Sequence, residues 1–151
     1  MTQSKKRALI SLAIWGPVAI WFAVLFFGMG GPATYAKDKW RIFYSALIIA
    51  VGFLLYLTML VRTRVGPADK PLASDERDEH IARRSNSTAL VVVLVYVFFT
   101  CIVLWEAYRE RQAVPVGWMW FLAYSSAFCG YLSHAVGTLI LNSKMGGHAE
   151  S

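Results

Sequence analysis

Few residues in this chain are suited to chemistry, and they lie far apart. His134 is the one Asp, Glu, Lys, Arg or His set deep inside an apolar stretch. Ionisable groups at membrane depth usually face a bundle interior and mark paths or sites. A neutral imidazole bonded to a neighbouring helix is the plainer alternative. Ser125, Ser126, Ser133, Thr138 and Asn142 make this the most polar of the apolar stretches, which fits an inward-facing path or pocket. A haem would need an axial partner at similar depth, and His80 and His148 lie in charged or terminal sequence. No cofactor and no metal site are expected.

The second constellation is the dense charge run from Asp75 to Arg84, containing Asp75, Glu76, Arg77, Asp78, Glu79, Arg83 and Arg84. Calcium loops of the EF-hand type need a D-x-D-x-D-G order, and glycine is missing here. On a helix, Asp75, Asp78 and Glu79 are the carboxylates whose spacing lets them converge. Acid first and base last suits the helix dipole, so a solvated helix start is the structural reading. A cytoplasmic interaction surface is the functional one. Glu79 with Arg83, and Glu76 with His80, stand at ion-pair spacing.

Ser126, Gly130, Ser133 and Gly137 repeat at intervals of four, three and four, placing small residues in one stripe. Such stripes are helix-packing seams in membranes, and the 3.5 mean period implies left-handed crossing. The sequence leaves open whether the facing helix belongs to the same chain. Cys101 and Cys129 differ in depth by roughly 10 Å at the helical rise, which argues against a disulfide.

The elements that position these groups follow from the apolar blocks. The 151 residues are 57% hydrophobic, with mean hydropathy +0.48, above the roughly 45–50% apolar content of soluble domains. The excess falls into four nearly uncharged runs, at about 8–29, 42–61, 87–105 and 116–141. Each reaches the roughly 20 residues needed to cross hydrocarbon. The fold class is all-α: a single polytopic membrane domain of four transmembrane helices, with residues 62–86 as a cytoplasmic loop and pre-membrane helix. The third helix should start at Asp75, capped by Ser74 or Asp75, and enter the membrane without interruption. The first run is too long for a signal h-region of about 7–15 residues and reads as a retained helix. Gly16-Pro17 should kink it.

Lysine and arginine give the orientation. Ten flank the N-terminus, the central loop and the tail, against five in the two opposite loops (Lys37, Lys39, Arg41, Arg109 and Arg111). That bias puts both termini and the Asp75 region in the cytoplasm, of a bacterial inner membrane. Tyr35, Trp40, Trp105, Tyr108, Trp118 and Trp120 cluster at the opposite ends, as an aromatic belt would. The net charge of +6 flanks apolar blocks, so anionic lipid explains it and no nucleic-acid partner is expected.

The run Asp75, Glu76, Arg77, Asp78, Glu79 with Ile81, leading into a spanning helix, resembles a family of small prokaryotic four-span membrane proteins of uncharacterised function with a D-E-R-D-E signature. The specific likeness covers residues 74–105; the Trp-rich outer rim and His134 depart from it. The resemblance carries over no catalytic residue. Its members often stand beside small helix-turn-helix regulators, which implies regulation. The expectation is a non-enzymatic accessory or regulatory subunit, with the bilayer and another membrane protein, or a second copy of itself, as partners. A small oligomeric transporter or channel using the fourth span is the alternative, and a redox-cofactor or quinone-binding membrane subunit a weaker one.

Overall fold

The computed structural model describes residues 3–28, 30–62 and 72–147. Among them are five helices, α1 (Gln3–Phe27), α2 (Gly31–Tyr35), α3 (Lys39–Arg62), α4 (Leu72–Tyr108) and α5 (Val116–Gly147), and no strand. Ser4–Phe27, Lys39–Arg62 and Glu76–Tyr108 are long and apolar enough to cross a membrane. The chain is therefore an all-helical integral membrane protein. α5 has the length, with 32 residues, but its serines, tyrosines and His134 dilute its apolar character.

Helix ends are set by local chemistry. The Gly28 N–H makes the last bond of α1, to the Val24 carbonyl at 2.8 Å. Gly30 and Gly31 then take φ of 103° and 73°, a region glycine enters without steric cost. Asp38 caps α3 with its side chain, Oδ1 accepting from the Trp40 N–H at 3.0 Å and the Arg41 N–H at 3.3 Å; carboxylates are favoured at that position. α4 begins at Leu72, so Ser74 and Asp75 lie inside its first turn and do not cap it. Pro71 precedes Leu72 in the sequence, and proline favours a helix start. Gly66-Pro67, Arg64, Lys70 and His148 lie outside the described residues.

α1 packs along both α3 and α5, and α4 packs along α5; among the described residues α3 and α4 share no such face. The α1–α5 interface runs the length of α1 as a ladder of rings. Trp15, Phe22 and Phe26, spaced by seven and four, form one stripe of α1 and are fully or almost fully buried. Trp15 stacks on Tyr131 at 4.5 Å between centroids. Phe22 meets Phe128 edge-on at 5.5 Å, and Phe26 meets Phe121 at 4.7 Å and Trp118 at 5.7 Å. The helices are thus antiparallel. In lipid, burial gives little drive between helices, so dispersion and ring geometry hold them, each aromatic pair adding about 0.5–1.5 kcal/mol. Gly52 of α3 admits the Trp15 ring, whose edge lies 3.4 Å from where a Cβ would stand.

Two expectations about aromatics change here. Tyr35 is fully buried, and Trp118 packs against the core, so neither is a belt residue facing lipid. Trp40 and Trp105 are exposed, at 69% and 61%.

Candidate functional site

The sequence-predicted residues do not gather at one place. His134 is half-buried on α5. Its carbonyl accepts the Thr138 hydroxyl at 2.9 Å, while its ring makes no hydrogen bond among the described residues. Two of the small stripe residues face α4 of the same chain: a Cβ on Gly130 would lie 3.4 Å from Val93, and one on Gly137 would lie 3.6 Å from the Ser85 hydroxyl. Ser126 and Ser133 bond within α5, to the Ala123 carbonyl at 2.9 Å and against Cys129 Sγ at 4.0 Å.

The charge run divides by helical phase. Glu76, Glu79, His80, Arg83 and Arg84 are exposed, while Arg77 and Asp78 are half-buried. Glu79 and Arg83 form the expected i, i+4 pair at 2.6 Å; Glu76 and His80 form none. The Asp75 side chain lies outside the described residues. Asp78 turns inward and Glu79 outward, so these carboxylates do not converge.

Asp78 instead belongs to a polar clamp that joins three helices. The Ser4 hydroxyl of α1 donates to Asp78 Oδ1 of α4 at 3.1 Å, and Asn142 Nδ2 of α5 donates to Ser4 Oγ at 3.2 Å. One turn deeper, the Thr138 hydroxyl reaches Ser85 Oγ at 3.2 Å. Ile81 and Ser85 are fully buried in this zone and Ala89 nearly so, an i, i+4, i+8 stripe of α4 against α5. Thr138 and Asn142, two of the polar residues of α5 that suggested a path, are thereby spent on holding helices together. Farther along α4, Tyr96 donates to Ser125 at 2.7 Å, which does the same.

Sequence reasoning missed a second centre, at the opposite end of the molecule. Arg41, counted above with the loop cations, is 4% exposed. Its Nη2 donates to the Leu25 and Phe26 carbonyls at 2.8 and 3.0 Å, its Nε to Leu25 at 3.2 Å, and its Nη1 to Thr34 Oγ1 at 3.0 Å. The guanidinium lies 5.4 Å from the Tyr35 ring centre. These carbonyls are at the C-terminal end of α1, where orphan acceptors and the negative end of the dipole favour a cation. No protein-family model matches the chain, and no curated protein or solved structure matches it. The site is therefore read from its own geometry. Among the described residues, no three of His, Cys, Asp and Glu gather to hold a metal ion. Both centres are helix fasteners.

Proposed function

We propose that the chain crosses a bacterial inner membrane four times, with both termini and the start of α4 in the cytoplasm. We read it as a non-enzymatic accessory or regulatory subunit packed against a larger membrane protein. The observation that carries this reading is the helix arrangement. Among the described residues α3 and α4 share no packed face, and Leu54 and Leu57 of α3 and Leu94 and Phe98 of α4 stay exposed. The interior between α1 and α5 is filled by rings, so the working surfaces are the outer ones. Glu76, Glu79 and Arg84 continue the α4 edge into water, and the signature likeness of this stretch adds regulation to the reading.

A crossing by α5 is supported by its neighbours. It runs antiparallel to α1 from Trp118, beside Phe26, to Asn142, beside Ser4. A helix lying beside a spanning helix from end to end crosses with it. Its lower hydropathy suits a helix that faces protein on two sides. Reporter fusions after residues 112 and 151 test this: outside and inside readings are expected, and two equal readings would overturn it.

A photo-crosslinking side chain at Leu54 or Phe98, in cells at native expression, tests the partner. A discrete heavier adduct containing a second polypeptide is expected; adducts with lipid alone would end the reading. One observation favours a second reading, a small oligomeric transporter: among the described residues the His134 ring makes no hydrogen bond. Flux in proteoliposomes that is unchanged by His134→Ala would remove that role.

A further inference from the structure

Toward the 109–115 turn, α4 carries an open groove of about 360 Å³, bordered by Val95, Phe99, Thr100, Val103 and Ala107 of α4 and by Trp118 of α5. That volume falls in the range of ligand sites, roughly 300–1,000 Å³. From Val95 to Tyr108 the groove follows 13 residues of helix, roughly 20 Å. One leaflet of hydrocarbon is about 15 Å deep, half of the usual core. We infer that this groove is a binding site for one zwitterionic phospholipid, holding an acyl chain along α4 beside Trp118 with its headgroup at the turn.

The lining chemistry selects hydrocarbon. The Thr100 hydroxyl donates to the Tyr96 carbonyl at 2.8 Å, and the Tyr96 hydroxyl to Ser125 at 2.7 Å. Trp118 Nε1 donates to the Tyr108 oxygen at 2.8 Å. The polar atoms along the groove are thus engaged by the chain itself, and an occupant gains nothing by bringing donors or acceptors. The exception stands at the mouth. Tyr108 accepts from Trp118 and keeps its own proton to donate, at the level where a glycerol ester or phosphate oxygen would lie.

The turn beyond the mouth selects the headgroup. Glu106, Arg109, Glu110 and Arg111 are all exposed there, two acids and two bases on six residues of chain. A headgroup carrying one phosphate and one ammonium meets both signs, whereas a net-anionic one would meet the two carboxylates as well. Opposite-charge matching of this kind governs lipid headgroup preference at membrane surfaces.

The inference rests on α4 as a spanning helix and is independent of any protein partner. The test is native mass spectrometry of the purified chain after mild detergent extraction and exchange into mixed zwitterionic and anionic phospholipid. Wild type should retain one zwitterionic lipid per chain. Ala107→Trp, which fills the groove, should lower that occupancy roughly tenfold, the equivalent of about two buried methylenes lost. Ile102→Trp, which places the same indole outside the groove lining, should leave it unchanged, and thermal unfolding of each variant checks that it is folded. No retained lipid, equal retention in Ala107→Trp, or a preference for the anionic lipid would each overturn the assignment. A lipid-free dimer that Ala107→Trp converts to monomer would also overturn it, and would give the groove to a second copy of the chain.

Discussion

Replacing Arg41 by methionine should unfasten the end of α1 from the start of α3. Methionine keeps much of the length and apolar contact but removes every donor. The Leu25 and Phe26 carbonyls then lose this donor, and Thr34 Oγ1 keeps only its bond to the Gly31 carbonyl, in a place where Arg41 is 4% exposed and water is scarce. An orphaned buried acceptor costs about 1–3 kcal/mol. Two carbonyls give roughly 2–6 kcal/mol, from which the relief of guanidinium desolvation must be subtracted. A net loss of about 2–4 kcal/mol remains, and at roughly 2–4 °C per kcal/mol it corresponds to a melting shift of about 5–15 °C. Arg41→Lys keeps the charge but loses the planar fork that meets two carbonyls at once, so it should fall between wild type and methionine. Thermal unfolding of the three proteins in one detergent gives the order. Hydrogen exchange should show the loss localised at α2 and the last turn of α1. A methionine variant that melts with wild type, or a lysine variant indistinguishable from it, would refute the capping role.

Gly117 packs so closely under α2 that a Cβ would collide with the Pro32 carbonyl oxygen; Gly117→Ala should cost about 1–3 kcal/mol, read by the same melt. Ser4→Ala and Asp78→Ala, with their double mutant, should show a coupling of about 0.5–1.5 kcal/mol in equilibrium unfolding, and strict additivity would show that the clamp is not made. Gln112 holds a φ of 50°, a strained left-handed conformation, so Gln112→Gly should stabilise the turn by about 1 kcal/mol and raise the melting temperature.

The helices were legible because apolar runs of the right length between charged loops leave few other structures in lipid. The faces of those helices were not. In water a buried stripe stands out against polar neighbours. In α1, the buried Trp15, Phe22 and Phe26 sit among Ile20, Trp21 and Val24, which are exposed and equally apolar. Hydropathy has no contrast to report there, so the ring ladder appears only when α5 is laid against α1. Glycine was more informative, because close approach needs it whatever the solvent: the Gly130 and Gly137 spacing pointed at a helix contact, and the structure supplies α4. Charge misled in one case. By sequence Arg41 belongs with the loop cations that signal orientation, yet its side chain closes the end of α1; nothing in its immediate sequence marks it as buried. Asp78 and Glu79 show the same limit at smaller scale. They are adjacent in sequence, and helical phase sends one into a clamp and the other into an exposed ion pair with Arg83.

The central claim, that this chain works as a membrane subunit beside a larger protein, is tested most directly by weighing the intact particle. The tagged chain would be drawn from its own membrane in native nanodiscs, at native expression, and its mass measured whole. A complex of fixed ratio with one larger membrane protein is the result expected from exposed α3 and α4 edges. A particle containing only this chain, alone or as a homo-oligomer, would contradict the claim and move attention to His134 and transport.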